Sequence, residues 1–165
     1  MADIDGLKTI LEQVGKKVEK ERIALRKKIS SRAELIDFVP TAGGLYWIET
    51  NMPGTEMLEA IKETTGKKKR MRSSKPRNGA GFTKANNGHQ IVYSGTRSNI
   101  QSRLLEHLFN EGNVNTGKLG CKIEDTPFSK YEWHLSYYIL EDDSVRIAIE
   151  SWWRLNIGWP PFCLR

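Results

Sequence analysis

The stretch QIVYSGTRSNIQSRLLEHLF, residues 90–109, changes from a strand pattern to a helix pattern along its length. Ile91, Val92 and Tyr93 form a short run of side chains that favour β-structure, and Gly95 interrupts it. Ser98 and Gln101 have the spacing of a capping box, which predicts that a helix begins there. The stretch therefore predicts a strand, a turn and a helix, in that order.

The predicted helix has an apolar face with two polar residues at its border. The apolar side chains recur at helical spacing and are Ile100, Leu104, Leu105, Leu108 and Phe109. Arg103 and His107 lie one turn apart at the edge of this face, where core packing does not require a polar group. From this border position both side chains can reach over the end of the neighbouring strand.

A second strand with a tyrosine near its start is predicted upstream, in TAGGLYWIET, residues 41–50. The combination of Gly44-Leu45-Tyr46, Tyr93-Ser94-Gly95, Arg103 and His107 resembles the GIY-YIG nuclease superfamily. The resemblance covers roughly residues 41–158. It implies an α+β fold with a small three-stranded antiparallel sheet flanked by helices, here with a long N-terminal helix, and a divalent-metal nuclease site on the surface of the sheet.

The resemblance also implies a catalytic set. The two motif tyrosines, the helix arginine and the later glutamate of the superfamily correspond to Tyr46, Tyr93, Arg103 and Glu150. The Arg-x-x-x-His arrangement of Arg103 and His107 is similar to that of a restriction-enzyme branch and of homing members. Three features depart from the superfamily pattern: Ser94 replaces an isoleucine, the segment between the tyrosines is long, and the downstream asparagine is missing. Asn156 follows Glu150 by only six residues, and it either replaces that asparagine or simply closes the last helix.

Length and composition predict one ordinary domain with a helical arm. The chain has 165 residues and is 38% hydrophobic, which we divide into an arm over residues 1–40 and a nuclease-like domain over residues 41–165. The net charge of +6 and the pI near 9.3 favour a polyanionic partner, with an ordinary basic surface as the alternative. Cys121 and Cys163 suggest neither a zinc site nor a disulfide framework, so we expect a cytoplasmic protein. No apolar run approaches the roughly 18 residues needed to cross a membrane.

Residues 5–36 carry an apolar stripe among many basic side chains and predict one long helix, with a break near Ser30 and Ser31. Such a helix either covers the domain or pairs with a second copy in a homodimer. The alternative is a basic arm that also contacts phosphates, and the two roles can coexist.

A basic, glycine-rich segment at residues 66–89 separates the two tyrosine strands. This composition cannot bury a core and predicts a mobile loop. Its position beside the predicted site favours contact with the backbone of double-stranded DNA over a loop that is only solvated. The expected DNA-binding residues are Lys67, Lys68, Lys69, Arg70, Arg72, Lys75, Arg77 and Lys84.

Several residues of this segment are candidates for contacts with DNA bases or for a role in catalysis. Arg70, Arg72, Asn78, Asn86 and Asn87 are of the types that read guanine and adenine. Lys84 and His89 either assist Tyr46 or are ordinary loop residues.

The end of the chain predicts a third strand at residues 131–140 and a last helix from Ser144 to Gly158. Trp133, Leu135, Tyr137 and Ile139 alternate with His134, Ser136 and Tyr138 along the strand. Glu150 flanks the apolar arc of the helix, so its carboxylate is a candidate metal ligand.

These residues can supply what phosphodiester hydrolysis requires. Glu150 would hold one Mg²⁺ or Mn²⁺ per site, and Arg103 would clamp the scissile phosphate. Tyr46 would orient or deprotonate water, the second role requiring a depressed phenol pKa. Tyr93 would bind the phosphate or water, and His107 would relay a proton.

The expected function is therefore a divalent-metal-dependent DNA endonuclease, with a site-specific restriction-type enzyme as the leading hypothesis. One alternative is a homing or phage-type nuclease with a long, tolerant site. Another is a DNA-binding module that kept the fold without catalysis.

Overall fold

The computed structural model describes residues 3–114 and 116–165 and has an α+β architecture. Within these ranges, an antiparallel sheet of four strands in the order β1-β4-β2-β3 is flanked by five α-helices. The strands are β1 (Lys27–Lys28), β2 (Gly44–Thr50), β3 (Gln90–Arg97) and β4 (Trp133–Ile139). The helices are α1 (Ile4–Leu25), α2 (Arg32–Phe38), α3 (Gly54–Thr65), α4 (Ile100–Phe109) and α5 (Asp143–Asn156).

The alternation of side chains along β2 gives the sheet two buried faces. Tyr46 and Ile48 point into the larger core, which also receives the apolar face of α4. Leu45 and Trp47 point to the other side, where Ile149 and Trp153 of α5 and Val18 of α1 cover them. Helices α4 and α5 therefore lie on opposite faces of the sheet, which we call the α4 face and the α5 face.

The class of the fold agrees with the sequence prediction, but the prediction of three strands was wrong. Lys27 and Lys28 form a fourth strand at the edge, opposite Leu135 and His134 of β4. This strand also breaks the single helix predicted over residues 5–36 into α1 and α2. Ser31 ends the break, because its side chain accepts a hydrogen bond from the amide of Glu34 and so caps α2.

The start of α4 differs from the predicted capping box. Asn99 is the N-cap, and its side chain accepts a hydrogen bond from the amide of Ser102. Gln101 points away from this turn and donates to the carbonyl oxygens of Ile36 and Val39. The predicted order of strand, turn and helix is nevertheless present, since β3 ends at Arg97 and α4 begins at Ile100.

The basic segment contains no helix or regular strand in the described structure. Its two isolated bridges pair Phe82 with Trp159 and Asn86 with His89. Over the described parts of the chain, no helix is both long and apolar enough to span a bilayer.

Candidate active site

Tyr46 lies in the middle of the sheet, on strand β2, opposite Gly95 of β3 and Tyr137 of β4. Its hydroxyl oxygen lies directly over Gly95, so that a Cβ atom at position 95 would come within 2.3 Å of it. Glycine at this position therefore makes the space that the Tyr46 hydroxyl occupies. The segment Tyr93-Ser94-Gly95 therefore matters in two ways: it supplies the Tyr93 side chain, and it has no side chain at Gly95 to collide with Tyr46.

His107 fixes the polar environment of that hydroxyl. Its Nε2 atom lies 3.0 Å from the Tyr46 Oη atom, and its Nδ1 atom accepts a hydrogen bond of 2.9 Å from the amide of Leu119. Burial lowers the pKa of His107 well below its usual value, and the neighbouring Arg103 and Lys69 lower it further. A neutral ring that accepts at Nδ1 carries its proton on Nε2, so His107 donates to Tyr46.

Tyr93 and Arg103 complete a cluster of four side chains. The rings of Tyr46 and Tyr93 are nearly parallel, with centroids 6.3 Å apart, and the His107 ring is 4.4 Å from that of Tyr93. Arg103 is buried beside both phenols and forms an ion pair with Glu106. We call Tyr46, Tyr93, Arg103 and His107 the phenol cluster.

The phenols of this cluster are not acidified in the structure. Burial raises the pKa of Tyr46 well above that of a free phenol, the adjacent Tyr93 raises it further, and Arg103 only partly opposes this. Burial likewise raises the pKa of Tyr93. Tyr46 is therefore a neutral phenol at neutral pH, suited to hydrogen bonding and not to deprotonating water in the resting state.

Glu106 and Leu119 also contact this cluster, and neither was among the residues expected from the sequence. Glu106 follows Arg103 by three residues on the same helix, which is the usual spacing of a helical ion pair and was a readable signal. Leu119 acts through its backbone amide from a loop, so its residue type carries no such signal.

Glu150 approaches strand β3 from the α5 face. Its carboxylate forms an ion pair of 2.5 Å with Arg154 on the same helix. Burial raises the pKa of Glu150, while Arg154 and a hydrogen bond with Thr96 oppose this. The structure therefore brings Glu150 to the strand segment under Tyr46, but on the opposite face of the sheet from the phenol cluster.

One carboxylate completed by waters and phosphate oxygens is a donor set that Mg²⁺ accepts, and Glu150 offers such a donor. A buried carboxylate also requires a cationic partner, which Arg154 provides in this structure. Glu150 could hold a hard divalent cation only if its ion pair with Arg154 opened, and such an ion would lie on the opposite side of the sheet from the phenol cluster.

Asn156 is not brought to the phenol cluster. It is exposed at the last position of α5, and its side-chain amide donates to the carbonyl oxygen of Trp152. A cleft on the α5 face is lined by Asn156 together with Lys84 and His89. Of the two readings of Asn156, this position favours the closing of the helix.

The C-terminal tail lies along β3 beside the site. Phe162 donates its amide to the carbonyl oxygen of Val92, and the Cys163 sulfur lies 3.4 Å from the amide nitrogen of Ser94. Arg154 donates to the Ser94 carbonyl oxygen at 2.6 Å. The strand that carries Tyr93 is therefore held from its free edge by the tail and by α5.

The basic segment has one residue next to the phenol cluster. Lys69 is half-buried, and burial together with the nearby Arg103 lowers its pKa. Arg72 lies over the Trp159 ring and donates its amide to the Pro161 carbonyl oxygen, which fastens the segment to the tail. The remaining predicted DNA-binding side chains are exposed and are Lys67, Lys68, Arg70, Lys75, Arg77 and Lys84.

The phenol cluster gathers a guanidinium, an imidazole and two hydroxyl groups, and Tyr46, Arg103 and His107 are buried in this structure. The chain matches no protein-family model, and no curated protein or solved structure is significantly similar to it.

Proposed function

We propose that this protein is a divalent-metal-dependent endonuclease that hydrolyses phosphodiester bonds in double-stranded DNA. The observation that carries the proposal is the phenol cluster, in which residues from β2, β3 and α4 meet around one buried hydrogen bond of 3.0 Å between Tyr46 and His107. Core packing alone does not require an arginine, an imidazole and two hydroxyl groups at one place, because each buried polar group must find a partner.

The contacts of the cluster support a proposed role for each residue. Arg103 is charged at all working pH values and offers a planar fork of donors to the scissile phosphate. Tyr46 accepts from His107, so its own hydroxyl proton is available for a phosphate or water oxygen. Tyr93 adds a second hydroxyl donor at the same end of the sheet.

Glu150 is the carboxylate that would hold the divalent cation, which would supply Lewis-acid stabilisation of the transition-state charge. Because the sheet separates Glu150 from the phenol cluster, this role requires a rearrangement that brings the two together. Substrate access requires a change in the basic segment, because Arg103 is only 7% exposed and Lys69 lies beside it. We infer that the backbone of DNA draws Lys69 and its neighbours outward and so opens the path to Arg103. This would couple DNA binding to assembly of the site.

The test is cleavage of plasmid DNA by the purified protein in Mg²⁺ and in chelator. Tyr46→Phe and Glu150→Gln should lower cleavage by about 100-fold or more while DNA affinity stays within a few-fold. Tyr137→Phe is the matched control, because Tyr137 is opposite Tyr46 in the sheet but its hydroxyl donates to the Phe38 carbonyl oxygen.

Two outcomes would contradict the proposal. One is wild-type protein without metal-dependent cleavage, which would leave DNA binding alone as the function. The other is equal activity of Tyr46→Phe and Tyr137→Phe. Sequencing of the cleaved ends would separate a short fixed site from a long tolerant one, and so a restriction-type enzyme from a homing type.

A further inference from the structure

A second group of polar side chains lies on the α5 face, away from the phenol cluster. His89, Glu132 and His134 each offer one ligand atom, and these three atoms lie within 4.8 Å of one another. They line a cleft of about 780 Å³ between α1, the end of the basic segment and β4. We call these three residues the His-Glu-His cluster.

A tight turn places His89 in this cluster. Asn87 and Gly88 both have positive φ angles, and Asn86 and His89 exchange backbone hydrogen bonds of 2.7 and 3.0 Å. This is the geometry of a two-residue hairpin, for which Asn-Gly is the favoured sequence. The backbone of His89 is therefore fixed although the segment around it is exposed.

The hydrogen bonds of His89 leave a position that suits a cation. Its Nδ1 atom lies 3.1 Å from the Asn87 carbonyl oxygen, and its Nε2 atom lies 2.9 Å from an oxygen of Glu132. Both partners are acceptors, so a ring that donates to Asn87 through Nδ1 can bind a cation through Nε2 once the cation has displaced the Nε2 proton. A metal ion between Nε2 and Glu132 would satisfy both, and an imidazole anchored to a carbonyl oxygen through its other nitrogen is the usual arrangement of a metal ligand.

His134 supplies a buried nitrogen without a hydrogen bond. It is only 9% exposed, and its Nδ1 atom has no hydrogen-bond partner within the described ranges. Its ring meets the His89 ring edge-on, with centroids 5.1 Å apart.

Other charged groups around the cluster nearly cancel. Arg26 and Glu49 form a two-pronged ion pair of 2.8 and 2.9 Å next to His134. Lys28 lies 3.3 Å from the second oxygen of Glu132 and is the cation that a metal ion would displace.

We propose that His89, Glu132 and His134 form a binding site for a transition-metal ion of the Zn²⁺ class, on the opposite sheet face from the phenol cluster. Two imidazoles and one carboxylate favour Zn²⁺ and its neighbours, whereas Mg²⁺ requires oxygen ligands. Three protein ligands leave a coordination position open to the cleft. The site would tie the hairpin of the basic segment to β4, and it does not depend on the proposed nuclease function.

The test is calorimetric titration of the chelator-treated full chain with Zn²⁺. We expect one ion per chain, with the affinity lowered by at least about 100-fold in His89→Gln and in Glu132→Gln, more than the loss typical of an outer-shell partner. His107→Gln is the matched control, because His107 lies on the α4 face and should leave Zn²⁺ affinity unchanged.

A variant with the opposite effect guards against general disruption. Lys28→Met removes the ammonium that competes for Glu132 and should raise Zn²⁺ affinity by about twofold to fivefold, the range expected of an exposed ion pair. Absence of stoichiometric Zn²⁺ binding by the wild type would overturn the proposal. Retention of the wild-type affinity by both His89→Gln and Glu132→Gln would overturn it as well, and would leave the cluster as an ordinary ion pair.

Discussion

The two faces of the sheet each carry an arginine paired with a glutamate of its own helix. On the α4 face Arg103 pairs with Glu106, and on the α5 face Arg154 pairs with Glu150. Both arginines are largely removed from solvent and both lie beside strand β3. The two pairs are thus alike in burial, although Arg103 and Glu106 are three residues apart and Glu150 and Arg154 are four.

Their remaining neighbours distinguish them. Arg154 binds the backbone and hydroxyl of Ser94 and lies over the Trp159 ring, so it holds β3 to the C-terminal tail. Arg103 instead faces two phenols, which are groups that can bind substrate. Arg154 therefore has a structural role and Arg103 is the candidate for chemistry, although each arginine pairs with a glutamate, and only the further contacts of the arginine distinguish the two roles.

Replacing each arginine by lysine should give the largest difference in cleavage between the two faces. Arg103→Lys keeps the charge but loses the planar fork, so cleavage should fall by about 100-fold to 1,000-fold with DNA affinity nearly unchanged. Arg154→Lys can still pair with Glu150 and should lower cleavage by less than about tenfold. Single-turnover cleavage and equilibrium DNA binding would measure both, and equal losses in the two variants would contradict the distinction.

The sequence predicted the α4 face better than the α5 face. Tyr93, Arg103 and His107 lie within one strand-turn-helix unit, whose local periodicity fixes their relative positions. Their meeting with Tyr46 then requires only that two tyrosine strands pair. The observed register, with Tyr46 opposite Gly95, is that pairing.

The α5 face depends on contacts that local pattern does not encode. The two-residue strand β1 is too short to show a period, and it exists only because β4 offers Leu135 and His134 as partners. Likewise His89 and His134 are separated by the whole of α4 and its following loop. Their approach follows from the Asn87-Gly88 turn and from the register of β3 and β4 against β2, which no single segment specifies.

Gly95→Ala should show how closely Tyr46 packs on β3. The new Cβ atom would lie 2.3 Å from the Tyr46 hydroxyl, so the ring must shift away from His107. We expect a loss of about 1–3 kcal/mol in the free energy of unfolding, measured with urea, because overpacking a core forces side chains out of their preferred positions. Gly54→Ala is the control, since its Cβ atom would meet only the flexible end of Met71.

A similar loss in both glycine variants would show that the effect is a general cost of replacing glycine. A loss confined to Gly95→Ala would place the constraint at the Tyr46 hydroxyl.

The stability of the wild type should fall as the pH is lowered below about 6.5. The pKa of His107 is depressed in the folded chain, so between the folded and the unfolded value the unfolded chain binds more protons. The free energy of unfolding should therefore decrease by at most about 1.4 kcal/mol per pH unit for this residue. His107→Asn preserves an acceptor for the Leu119 amide. In this variant the free energy of unfolding, measured with urea at pH 5.5 and 7.5, should differ less between the two pH values than in the wild type.

His134 shifts in the same direction, since burial also lowers its pKa. His134→Gln measures that share, and it should remove less of the pH dependence than His107→Asn because His134 is less buried. The reverse order would mean that the α5 face, and not the phenol cluster, controls acid stability.

The smallest expected effect compares a basic residue on each side of the molecule. Lys69→Gln should lower the slope of log K against log salt for DNA binding by about 0.9, the contribution of one phosphate contact. Lys20→Gln, on the exposed side of α1, removes the same charge and should leave the slope unchanged. Because both variants change the net charge equally, a general attraction between a basic protein and DNA would lower both slopes alike. Only a DNA path across the α4 face makes Lys69 differ from Lys20.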